Sequence, residues 1–123
     1  MPHSPTPSAV MIAASSKGET KKALAEKYKT KYFKDYKDML AHVDAVSIVA
    51  PTNLHYELSK SCLEAGKHVI VEKPLTITQK DGEALVKLAA EKKIILAAGH
   101  LYRFSNAVIR LKELLKDAGI IQF

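Results

Sequence analysis

The stretch Ala45-Val46-Ser47-Ile48-Val49-Ala50-Pro51 is a continuous, β-branched run closed by a proline. It reads as a strand buried on both faces, the pattern of a parallel sheet. Behind it the pattern turns helical over residues 54–65 and stops at Gly66, a natural C-cap. His68-Val69-Ile70-Val71 is a second buried strand, and Pro74 breaks the chain just beyond it. Thr78 opens a helix that runs to Lys92, with Leu85, Leu88 and Ala89 at helical spacing. Ile94-Ile95-Leu96-Ala97-Ala98 is a third strand, ending at Gly99-His100.

The same alternation extends outward. Residues 9–14 form a short apolar run followed by a polar turn, Ser15-Ser16-Lys17-Gly18. A helix is predicted over 19–28, with Ala23, Leu24 and Lys27 on one face. Lys31-Tyr32-Phe33 is a candidate edge strand, and Asp35 caps a brief helix through Met39 and Leu40. An amphipathic helix over 105–116 stops before Gly119, and residues 120–123 would begin a further strand. Strands alternating with helices over short connections predict an α/β fold, a Rossmann-like three-layer αβα sandwich with a mainly parallel sheet.

Composition narrows the class. The chain has 123 residues, 47% hydrophobic and 26% charged, enough apolar surface for one folded domain. No apolar run approaches the roughly 20 residues that span a bilayer. Residues 1–8 are Pro- and Ser-rich, lack the apolar core of a secretory signal, and read as a flexible tail. Cytoplasmic location is therefore expected. The single cysteine, Cys62, allows neither an intrachain disulfide nor a cysteine metal cluster and reads as a buried, inert thiol. The net charge of +6 comes from lysines scattered over helix surfaces, without the Arg-rich stripe or interleaved aromatics of a nucleic-acid binder. Neither membrane nor nucleic acid is an expected partner.

In open parallel sheets, ligands bind outside the carboxyl ends of the strands. That rule selects residues 15–18, 51–55, 72–74 and 100–103. A lysine at position 73, where a buried strand opens onto the ligand edge, offers a point charge and three donors, and burial there would lower its pKa. Glu72 is placed to orient Lys73 or to bond the backbone; the plain alternative is an exposed lysine paired with Glu72. Pro74 fixes a turn in which a cis bond is an option. Pro51, Thr52 and Asn53 form a turn at the sheet edge, where Thr52 or Asn53 could equally cap the following helix. His55, in that helix's first turn, reads as packing or solvent-exposed and is not assigned as a proton donor. Tyr102 and Phe104 read as packing residues.

The run from Asp44 to His55, the run Cys62-Leu63-Glu64-Ala65-Gly66-Lys67-His68-Val69-Ile70-Val71-Glu72-Lys73-Pro74-Leu75 and the later Gly99-His100-Leu101-Tyr102-Arg103-Phe104-Ser105-Asn106 together resemble the glucose–fructose oxidoreductase/inositol dehydrogenase/rhizopine-catabolism family of NAD(P)-dependent oxidoreductases. The resemblance covers nearly all of residues 9–123. It implies hydride transfer between a nicotinamide cofactor and a sugar or polyol-like substrate, with Lys73 as the catalytic residue bonding the substrate hydroxyl or the nicotinamide amide. It also implies that Pro51, Thr52, Asn53, Glu72, Lys73, Pro74, His100 and Arg103 line the cofactor. Ser15, Ser16 and Lys17 stand where the family usually has a ribose-recognising acid. Hydroxyls and a lysine there favour NADP over NAD, against the plain reading of a polar loop before Glu19.

The chain departs from the family in two ways. No G-x-G-x-x-G turn, the usual pyrophosphate cradle, occurs in it. Its first strand matches the family's second, and the family's first strand is central in the order 3-2-1-4-5-6. The expected organisation is a tail over 1–8, a partial dinucleotide-binding domain over 9–119, and the start of a further domain over 120–123. Two arrangements are open: the strand at 9–14 pairs with that at 45–50, carrying residues 15–18 toward the phosphate position, or an apolar edge stays open. An open edge would be covered by a second copy or a partner chain. In the family the second domain faces the substrate and commonly supplies an acid/base pair, so the chain alone is expected to bind cofactor weakly or not at all and to turn nothing over. The alternative from another class is a non-enzymatic cofactor-sensing regulator or assembly module on the same scaffold.

Overall fold

The computed structural model describes Ile12, Ala13 and residues 18–117. Three of its strands are β-branched or alanine-rich runs that lie in parallel as neighbours, in the order β3 (Ala45–Ile48), β4 (His68–Val71) and β5 (Leu96–Ala98). Val46 pairs with Val69 and Val69 with Leu96, while Ile48 pairs with Val71 and Val71 with Ala98. Parallel neighbours need a crossover, and the helices α3 (His55–Glu64) and α4 (Gln79–Lys92) supply both. Two further short strands, β1 (Ile12–Ala13) and β2 (Tyr32–Phe33), pair in parallel as a separate sheet, connected by α1 (Gly18–Lys27). A five-residue helix, α2 (Tyr36–Leu40), leads from β2 to β3, and α5 (Asn106–Leu114) follows β5. The fold is Rossmann-like, as the alternation of elements predicts.

Of the two arrangements open to the first strand, pairing with β3 is not the one adopted. Ile12 and Ala13 pair with Tyr32 and Phe33, and no strand among the described residues lies along the outer edge of β3. The expectation that β3 is buried on both faces is corrected accordingly. Ile48 is buried and Val46 half-buried, whereas Ala45 and Ser47 are exposed and Val49 is 73% exposed. Successive side chains of a strand point to opposite faces. The alternation continues in β4, where Val69 and Val71 are buried and Ile70 is turned outward.

The core forms where α3 and α4 pack on each other and on the inward residues of β3 and β4. Met39, Leu40, Val43, Ile48, Cys62, Leu63, Val69, Val71, Leu85 and Ala89 make one buried cluster. In α3 the buried residues are His55, Ser59, Cys62 and Leu63, the i, i+4, i+7, i+8 stripe of a helix with one covered face. Gly66 ends that helix at φ 74, a left-handed conformation that favours glycine. The start of α4 is set by Thr78, whose hydroxyl oxygen accepts from the Asp81 N–H, as expected for an N-cap. Asp35 caps α2 in the same way, accepting from the Lys37 N–H. In α1 the inward residue is Ala25 rather than the predicted Ala23–Leu24–Lys27 face. No helix among the described residues is long and apolar enough to cross a membrane.

Ser59 is fully buried in the α3 stripe, and its hydroxyl makes no hydrogen bond among the described residues. Alanine has the better helix propensity and removes a desolvated hydroxyl. Ser59→Ala is therefore expected to raise unfolding free energy by about 1 kcal/mol, read from a urea midpoint at constant slope.

Candidate functional site

Because β3, β4 and β5 run in parallel, the segments that leave them emerge on one edge of the sheet. From β3 the chain passes through Ala50 and Pro51 into a single 3-10 turn, Thr52–Leu54, and then α3. From β4 it passes through Glu72 and Lys73 to Pro74, and the Lys73–Pro74 bond is cis. From β5 it passes through Gly99 and His100 into a 3-10 turn, Leu101–Phe104, which holds Arg103. The strand ladder continues into these segments: the Glu72 N–H donates to the Ile48 carbonyl at 3.0 Å and the Gly99 N–H to the Val71 carbonyl at 2.7 Å. Gly99 is a position of close approach. A Cβ there would lie 3.3 Å from the Val71 oxygen and 3.5 Å from both the Glu72 Cα and its Oε1.

The third tie is a histidine. His55 is 1% exposed, with Nδ1 2.7 Å from the Pro74 carbonyl oxygen and Nε2 2.9 Å from the Ala50 carbonyl oxygen. One side chain thus bridges the turn after β3 and the turn after β4. Reading the sequence as a lone first-turn histidine missed this. The signal was present in the spacing, since His55 falls on the same helical stripe as Ser59 and Cys62.

Pro51, Thr52, Asn53, Glu72, Lys73, Pro74, His100 and Arg103 therefore share the carboxyl edge of one sheet. Ser15, Ser16 and Lys17 lie outside the described residues. Lys73, His100 and Arg103 are exposed, and none of them is in an ion pair among the described residues. The expected burial of Lys73 is thus not found: it lies two residues beyond Val71, the last residue of β4, in a turn that no described element covers. Glu72 is half-buried and forms no ion pair with Lys73. Neither Thr52 nor Asn53 caps α3 through its side chain. The cap position is Leu54, and the Thr52–Leu54 turn is preceded by Pro51, with no side-chain cap bond at either place. Tyr102 and Phe104 are 76% and 80% exposed, so they do not pack among the described residues; their 3-10 turn runs out beyond the end of β5.

Cys62 belongs to the core rather than the edge. Burial disfavours its thiolate and pushes the thiol up to about 11. It is expected to resist a disulfide reagent at pH 8 until the chain is unfolded by urea. The sign for stability follows: the unfolded thiol ionises first, so this contribution is intact at neutral pH and is lost as pH climbs toward about 11.

A parallel sheet with chemistry-bearing residues gathered at its carboxyl edge defines a ligand-binding α/β domain of the nucleotide-binding kind. The family model described as "Oxidoreductase family, NAD-binding Rossmann fold" matches residues 2–100. The chain belongs to that family, the glucose–fructose oxidoreductase/inositol dehydrogenase/rhizopine-catabolism group of NAD(P)-dependent oxidoreductases. It is 37% identical over 78 residues to scyllo-inositol 2-dehydrogenase (NADP(+)) of Bacillus subtilis, covering 63% of this chain and 22% of that protein. It is similar to the solved UDP-N-acetylglucosamine 3-dehydrogenase of Acidithiobacillus ferrooxidans, with 34% identity and a TM-score of 0.74 over 80% of this chain and 32% of that one. The structure of GenD2 from gentamicin A biosynthesis, in complex with NAD, matches with 25% identity and a TM-score of 0.79 over 82% of this chain and 30% of that one. The chain thus spans between about a fifth and a third of the length of these relatives.

Proposed function

We propose that the edge formed by residues 51–53, 72–74 and 100–103 binds the nicotinamide end of a dinucleotide, in an oxidoreductase that moves a hydride between cofactor and a carbinol carbon of a sugar or polyol. The observation that carries this reading is the pair of exposed cations, Lys73 and Arg103, that have no ion-pair partner among the described residues and stand with His100 at the carboxyl edge of a parallel sheet. Such an edge suits an anionic ligand. Bound there, the cofactor supplies the redox chemistry, accepting or returning hydride at the nicotinamide ring.

The residues of the chain have simpler tasks. Lys73 Nζ hydrogen-bonds the reacting hydroxyl or the nicotinamide amide, holding the carbinol in line for transfer. Pro51, Thr52 and Asn53 present backbone and side-chain groups to the ribose. Arg103 and His100 contact the cofactor or the substrate beside it. Glu72, held against Gly99, fixes the approach of the turn that carries Lys73. Oxidising a carbinol also requires a group that takes the hydroxyl proton, and none of these residues is assigned that task. Turnover is proposed to need such a group in addition to the residues of this edge. Ser15, Ser16 and Lys17 are proposed to favour a 2′-phosphate, hence NADP over NAD.

The test is a titration of the isotopically labelled chain with NADP+ and with NAD+, followed by amide NMR. Weak, fast-exchanging shifts are expected at Thr52, Asn53, Glu72, Lys73, His100 and Arg103, larger with NADP+. Shifts confined to other surfaces, or none at millimolar nucleotide, would sink the reading.

A further inference from the structure

The histidine that bridges the two turns raises a question of hydrogen counting. Both atoms facing the ring are carbonyl oxygens, which only accept. A neutral imidazole carries one N–H, so it can donate to one oxygen and must turn a lone pair on the other. Here both separations, 2.7 Å and 2.9 Å, are hydrogen-bond distances, and the residue is 1% exposed. Neither the Ala50 nor the Pro74 oxygen receives another donor among the described residues. No carboxylate or ammonium group among them pairs with the ring.

We propose that His55 is a doubly donating clamp: both ring nitrogens carry hydrogen in the folded protein, and the ring locks the turn after β3 to the turn that carries Lys73. Burial and the positive end of α3 oppose the charge. Two charge-assisted hydrogen bonds to otherwise unserved oxygens favour it, and losing the second hydrogen would set a buried lone pair against an oxygen. His55 is thereby a positioning residue, acting through the Pro74 carbonyl on Lys73 and through the Ala50 carbonyl on Pro51, Thr52 and Asn53. Its importance for chemistry rests on the reading of this edge given under Proposed function; the clamp itself does not.

The experiment uses the full chain without nucleotide. In 15N spectra of the ring at neutral pH, Nδ1 and Nε2 of His55 are both expected to show attached hydrogen that exchanges slowly with water. A spectrum with one bare nitrogen overturns the doubly donating state. His55→Phe keeps a ring of similar size and removes both donors. It is expected to speed exchange of the Glu72 and Leu54 amides by about tenfold and to shift the Lys73 and Thr52 signals. His55→Gln, whose amide offers two N–H bonds, is expected to restore part of that protection. Equal protection in the wild type and in His55→Phe overturns the positioning role, because a ring that merely fills space would be replaced without loss. If the Phe variant does not fold, the wild-type ring spectrum still decides the protonation. A nucleotide titration that fails while both His55 results hold would sink the proposed function and leave the clamp standing.

Discussion

Leu63→Ala is expected to destabilise the fold by about 3–4 kcal/mol. Leu63 is 0% exposed and sits in α3 within the cluster that includes Val69, Val71 and Leu85. Truncation loses the transfer free energy of the removed methyl and methylene groups. It also leaves a cavity, because a strand on one side and a helix on the other cannot both move in to fill it. Domains of this size are stable by about 5–15 kcal/mol, so the variant would keep a thin margin and a markedly lower urea midpoint. Leu54→Ala is the control: Leu54 is 45% exposed, and a change within about 1 kcal/mol is expected there. A loss below about 1 kcal/mol for Leu63→Ala would show that α3 does not pack on the sheet as described.

The second large effect is on chemistry and leaves stability alone. On the proposed reading, Lys73→Ala in an active oxidoreductase carrying these residues is expected to lower kcat by about 10²–10³-fold, the range for losing a hydrogen-bond donor to the reacting oxygen. Lys73 is exposed and lacks an ion-pair partner among the described residues, so the same substitution should move unfolding free energy by no more than about 0.5 kcal/mol. This separation is what distinguishes a functional lysine from a structural one. Lys73→Arg should recover little, because a planar guanidinium cannot place a compact point charge where the ammonium stood. Lys80→Ala, at an exposed lysine in the first turn of α4, should leave kcat unchanged. If Lys73→Ala retained full kcat, Lys73 would lose its catalytic assignment while the nucleotide reading would still rest on the titration.

Much of the fold was legible in the residues, because the signals were local. The β-branched runs at Ala45–Ile48 and His68–Val71 are strands, and the caps at Asp35 and Thr78 and the stop at Gly66 stand where their side chains or backbone freedom require. The end of α4 at Lys92 stands where the sequence pattern places it, although the left-handed C-cap at φ 55 is taken by Lys93 and not by a glycine. The site was legible as a set of strand ends, because parallel strands put their carboxyl ends on one edge whatever the details.

What the residues could not show was everything set by neighbours distant in sequence. Ala45 and Val49 have the apolar or β-branched character of buried strand, yet they are exposed; burial depends on which elements cover a face and not on the strand's own composition. Lys73 looked desolvated beside a buried strand and is open to solvent, because two residues past a strand end are enough to leave the packed layer. The chain by itself determined the α/β class, the order of strands and helices, and the edge where Glu72-Lys73-Pro74 stands, through periodicity and turn chemistry that act over a few residues. Only the tertiary structure decided that His55 closes over that edge. Its two partners, Ala50 and Pro74, lie 5 and 19 residues away, and a hydrogen bond across that separation exists only once the sheet has brought both carbonyls to one ring.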